Sequence, residues 1–84
     1  MHSYTLTQAL DAIDHGNVAE ALHILHLLAF QGDLEAQFVL GEIHALGVIV
    51  PFDRETALQW FTLAAKRGEA RSIRVLTALS AEAT

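Results

Sequence analysis

Residues 34–68 read LEAQFVLGEIHALGVIVPFDRETALQWFTLAAKRG, and the spacing inside this stretch decides the fold. Ala36 and Leu40 on one side, and Ala57, Phe61 and Ala64 on the other, recur at the three- and four-residue steps of a helix face. Between them stands a break. Gly47 sits where a helix wants a left-handed C-terminal residue, Pro51 biases Val50 away from helix, and Asp53 is a good N-cap. Two helices joined by a loop at 47–53 are therefore expected, with the apolar side chains of Val48, Ile49 and Val50 folded under the neighbouring helices.

The same punctuation continues outward. Gly16, Gly32 and Gly68 each close an apolar-periodic stretch, and Asn17 and Asp33 follow as cap candidates. Asn17 with Glu20, and Thr5 with Gln8, have capping-box spacing. This places helices at 5–15, 18–31, 34–46, 54–67 and 70–82. No stretch alternates apolar and polar residues as a strand would.

The second helix has Val18, Ala21, Leu22, Leu25, Leu28 and Ala29 on one face, yet Ile24, Leu27 and Phe30 are apolar as well. A helix apolar nearly all round is buried on more than one side or faces another chain. The fourth carries Ala57, Leu58, Phe61, Ala64 and Ala65 with Trp60 beside them, and Trp60 and Phe61 are expected in the core. The fifth opposes Ile73, Leu76 and Leu79 to Glu69, Arg71, Arg74 and Glu82, a wetter helix suited to the end of a stack.

A shift of 36 residues superposes Ala21 on Ala57, Leu22 on Leu58, Leu27 on Leu63, Ala29 on Ala65, Gly32 on Gly68, Val39 on Val75, Leu40 on Leu76 and Ala45 on Ala81. A helix–turn–helix unit repeating at that period reads as an α-solenoid. From Ala36 to Gly68, the residues Leu40-Gly41, His44, Gly47, Asp53, Ala57, Trp60-Phe61, Ala64-Ala65 and Gly68 resemble one Sel-one-like repeat, a relative of the tetratricopeptide repeat. Residues 17–32 resemble a partial repeat, 36–68 the full one, and 69–82 a capping helix, together one domain over 1–84. His44 departs from the family's usual tyrosine, and Ile49 from its second loop glycine. The resemblance implies an all-α fold, a short right-handed α-solenoid of antiparallel helix pairs, used as a non-enzymatic protein–protein interaction scaffold or adaptor.

Composition narrows the chemistry. With no Cys there is no disulfide framework, thiolate zinc site, iron–sulfur cluster or cysteine nucleophile. Charged residues are 18%, below the usual ~25%, and the net charge of −5 argues against unaided nucleic-acid binding through Lys66, Arg67, Arg71 and Arg74. The charge is uneven: residues 1–50 hold six acids and no Lys or Arg, while 51–84 hold all five bases against four acids. That asymmetry either serves helix ends and solubility or lets opposite ends of the stack attract other chains. Neither a signal peptide nor a run of ~20 apolar residues is present, so the expectation is a cytoplasmic protein with no membrane partner.

The hydroxyls Ser3, Ser72 and Ser80 lack a nucleophile-elbow context, and Asp11 and Asp14 read as a solvated face, so no enzyme and no cofactor are expected. Five His are many for 84 residues, and His23 and His26 lie close enough to share a metal. A small metal- or pH-responsive helical sensor using His23 and His26 is therefore the alternative to the adaptor. For a protein or peptide partner, the contact residues expected on the first helix of the full repeat are Gln37, Glu42 and His44. Ile24, Leu27 and Phe30, left over once the second helix has filled the core, are expected to pair two copies into a homodimer.

Overall fold

The computed structural model describes residues 4–82; Met1–Ser3 and Ala83–Thr84 of the expected domain lie outside the described residues, and Ser3 with them. Five helices follow in order: α1 (Leu6–Asp14), α2 (Val18–Phe30), α3 (Leu34–Leu46), α4 (Arg54–Lys66) and α5 (Ala70–Glu82). There is no strand among the described residues, and none of their helices is long and apolar enough to cross a membrane. Each helix packs mainly on its neighbours in sequence, α1 on α2, α2 on α3, α3 on α4 and α4 on α5. The result is a flat, elongated body of 46 × 26 × 15 Å.

The turns at Gly32 and Gly68 are built by one device. At the end of α2 the Gly32 N–H donates to the Ala29 carbonyl at 3.0 Å and the Asp33 N–H to the Leu28 carbonyl at 3.0 Å. This pairing satisfies two free carbonyls and requires Gly32 to sit at φ +94°. The residue that closes α2 then opens α3, because the Asp33 carboxylate accepts from the Ala36 N–H at 2.9 Å. The geometry recurs 36 residues later, where Gly68 and Glu69 donate to Ala65 and Ala64 and the Glu69 carboxylate accepts from the Ser72 N–H at 2.8 Å. Glu is a poor N-cap by composition, so sequence spacing did not single it out. The capping box at Thr5 and Gln8 forms. The one expected at Asn17 does not: its backbone stands at ψ 67°, short of the extended region Thr5 occupies, and its side chain caps nothing.

Two apolar clusters hold the helices. The first joins Ala9 of α1, Ile24, Leu25, Leu28 and Ala29 of α2, and Ala36, Leu40 and Ile43 of α3. Ile49 and Val50 pack against it from the loop, whereas Val48 turns outward, so the loop folds under the helices with two of its three β-branched residues. Trp60 reaches the same cluster but stays half-buried; the core assignment holds fully only for Phe61. The second cluster joins Phe38 of α3 with Ala57 and Phe61 of α4, and Val75 and Leu76 of α5 lean on it. On α5 the inward face is Ser72, Val75 and Leu76, and Ile73 is exposed. The face is turned about one residue from the expected one because Glu69 caps Ser72 and Arg71 is drawn over Phe38.

Gly41 lies in the middle of α3, where glycine costs about 1 kcal/mol of helix stability relative to alanine. Its role is contact. A Cβ there would stand 2.6–2.9 Å from Cε1, Cδ1 and Cζ of the Phe61 ring, inside van der Waals distance. Gly41→Ala should therefore lower stability by roughly 1–2 kcal/mol in spite of better helix propensity, since overpacking a core commonly costs about 1–3 kcal/mol. A urea midpoint equal to or above that of wild type would show that the ring does not need the space.

Candidate functional site

The three contact residues expected on α3 separate. Gln37 is internal at 2% exposure, and its Nε2 donates to the Ala29 carbonyl at 3.0 Å, bracing α3 against the end of α2. It faces inward because it follows Ala36 on the side of α3 that α2 covers, so it offers no surface to a partner. His44 is half-buried with its Nδ1 enclosed and unbonded. Glu42 alone is exposed, and it stands on the rim of a groove.

The residues expected to pair copies also separate. Ile24 is 2% exposed inside the first cluster, because α2 lies between α1 and α3 and both sides of it are covered. Leu27 is half-buried, and Phe30 stands out at 77% exposure. Phe30 meets the Trp60 ring at 6.1 Å between centroids, and His26 meets Trp60 at 5.8 Å. These rings link α2 to α4. His26 Nδ1 is bonded to the Leu22 carbonyl at 2.7 Å, and His23 packs edge-on to Tyr4. No group of three or more His, Asp or Glu converges to metal distance among the described residues.

Polar chemistry concentrates at the start of α5. The Arg71 guanidinium sits 4.1 Å from the centre of the Phe38 ring, pairs through two nitrogens with the Glu35 carboxylate on α3, and donates from Nε to Glu69 at 3.0 Å. A planar fork bonded on two edges and stacked on a ring suits arginine and not lysine. Hydrogen bonds donated to Glu35 and Glu69 push the Arg71 pKa above its ordinary value. Burial pushes the Glu69 carboxyl up, but the Ser72 N–H, Arg71 and the Ser72 hydroxyl together outweigh it and hold that group at about 2. Glu35 and Arg71 lie one 36-residue shift apart, so part of the charge asymmetry between the two halves is used inside the chain. Arg67 is likewise engaged, donating to the Gly32 carbonyl at 2.9 Å.

This clasp pins the first turn of α5 to α3, and Val75 and Leu79 stand on the turns that follow. A groove of about 270 Å³ opens between them and the facing ends of α3 and α4. Leu58, Phe61, Val75 and Leu79 form its apolar walls, and Glu42 and Arg54 line it as well. At its mouth Leu46 and Phe52 are 70% and 63% exposed, with Val48 between them in the loop. Helix periodicity did not single out this groove. The available signal was that Leu46 and Phe52 are large apolar residues on either side of a loop with no helical partner of their own. Comparison with protein-family models, with curated proteins and with solved structures finds no match to this chain. The class is therefore stated from geometry: a small all-helical chain bearing an apolar groove.

The Glu69 carboxyl titrates lower in the fold than its ordinary 4.5, so its contribution is full above that pH and is lost as pH falls toward 2. Chemical denaturation should show stability declining across that window. Glu69→Gln should cost about 1–3 kcal/mol at neutral pH and flatten the decline. A variant that declines as steeply as wild type would remove Glu69 from this role.

Proposed function

We propose that the chain is a non-enzymatic protein-interaction module of the helical-repeat kind, an adaptor that docks a protein or peptide partner in the groove between α3, α4 and α5. One observation carries this reading: the groove is open and apolar, and large apolar side chains stand exposed at its mouth. Contiguous exposed apolar surface of this sort marks interaction sites in soluble proteins. In this reading the five helices form a short right-handed solenoid of antiparallel pairs, in keeping with the Sel-one-like resemblance. The neighbour-to-neighbour packing, the matching turns at Gly32 and Gly68, and the Glu35–Arg71 contact across one repeat all support it.

Selection from a displayed peptide library tests the groove. Wild type should enrich a family of apolar peptides, and Leu79→Arg should lose that enrichment while its circular dichroism stays helical. Absence of enrichment, or equal enrichment by the variant, counts against the groove.

A second reading concerns self-association, favoured by Phe30 at 77% exposure beside Trp60. With Ile24 internal, the pairing surface is narrowed to Phe30, Leu27 and the edge of Trp60. Light scattering should give a mass above that of one chain that falls on Phe30→Ser and is insensitive to salt, as an apolar contact requires. A single-chain mass at ~100 μM would end this reading.

A further inference from the structure

We infer that the self-association surface carries a proton-operated release: two copies pair through the Phe30–Trp60 face while His26 is neutral, and separate when His26 takes up a proton. This deepens the self-association reading and rests on it. His26 belongs to the ring cluster at the heart of that face. Its centroid is 5.8 Å from that of Trp60 and 6.2 Å from that of Phe30, which are themselves 6.1 Å apart.

Charge points to a second copy as the occupant. The chain carries −5, so two copies repel wherever their acids face each other. From Ala21 to Gly32 the sequence has no Asp, Glu, Lys or Arg. A face built from that stretch lets an acidic chain meet itself without opposing like charges, and a two-fold axis sets the same patch of each copy together.

His26 is the ionisable member of the cluster. Its Nδ1 lies 2.7 Å from the Leu22 carbonyl. A carbonyl only accepts, so Nδ1 holds the proton of the neutral ring and Nε2 is the atom that gains one. Nε2 is not enclosed, so water solvates the charged ring in a single chain. A second copy laid over it would remove that water, and burying an unpaired charge is costly.

No counter-charge offsets this cost. Among the described residues no carboxylate pairs with His26. On α4, the residues one turn from Trp60 are Thr56, Ala57, Leu63 and Ala64, none of them ionisable. That helix closes with the cations Lys66 and Arg67, and Arg67 is tied to the Gly32 carbonyl. On α2, His23 is exposed three residues back, packed edge-on to Tyr4, and adds a second positive charge when it titrates. Glu20 lies with Asp11 and His15 at the start of α2. On α3, Asp33 caps the Ala36 N–H and Glu35 is held by Arg71.

The sign separates this device from bulk charge. Lowering pH from about 7.5 to about 5.5 crosses the ordinary histidine range near ~6.5. Charging five histidines brings the net −5 toward zero, which by itself favours association. A release at His26 acts in the opposite direction.

Sedimentation equilibrium of the full chain at both pH values and fixed ionic strength tests it. The wild-type dissociation constant should rise at least about tenfold at the lower pH. In His26→Gln and His26→Phe, whose side chains stay neutral, it should change less than about threefold. His26→Phe keeps a ring against Trp60 should the loss of one loosen the fold. In wild type itself, the His26 ring protons should titrate at lower pH in a concentrated, paired sample than in a dilute one. Coincident titrations overturn the inference. Pairing as tight or tighter at the lower pH overturns it while leaving the pairing surface, and so does a release that survives in both variants. A single-chain mass at both pH values removes the pairing reading and the release with it.

Discussion

The Phe61 ring lies against Gly41, and the C-terminal half of the molecule depends on that contact. The missing Cβ at position 41 is the space the ring occupies. Seated there, Phe61 also meets Phe38, with ring centroids 5.7 Å apart, and the Phe38 ring carries the Arg71 guanidinium. Arg71 in turn reaches Glu35 and Glu69. One line of contacts thus runs from the middle of α3 through α4 to the start of α5. A bulkier residue at 41 would lift α4 away from α3, and Phe38 and Arg71 would lose their seat together. Packed interiors transmit such shifts because they hold little spare volume.

The clasp at the start of α5 explains both order and openness. Ser72 is fully buried, and its N–H and hydroxyl are satisfied by Glu69. Further along the helix, Val75 and Leu79 stand along the groove. Charge follows the same economy. The acidic first half and the basic second half meet at Glu35 and Arg71, so an asymmetry that looks outward-facing in composition is partly an internal fastening.

Among the described residues, two buried side-chain polar atoms are enclosed by this packing. The Gln37 Oε1 and the His44 Nδ1 are enclosed without a hydrogen-bond partner. Gln37 keeps its place because its amide nitrogen bonds to Ala29, which ties α3 to the last turn of α2.

The five helices and most of their caps were legible in the linear order of residues, because those signals are local. A left-handed glycine, a capping Asp33 or Asp53, and apolar residues three and four apart act within a turn or two of the chain. Which of several apolar faces each helix covers was not legible. Ile24 and Phe30 look alike in sequence, yet α1 and α3 enclose one and leave the other in water. Gln37 and Glu42 are both polar residues of α3, but only the second reaches a surface. The rotation of α5 was set by Glu69 and Arg71 finding partners, and the groove by where that rotation leaves Val75 and Leu79 relative to the ends of α3 and α4. Those outcomes depend on residues dozens of positions apart arriving at one place, where burial and pairing are decided by packing and not by periodicity.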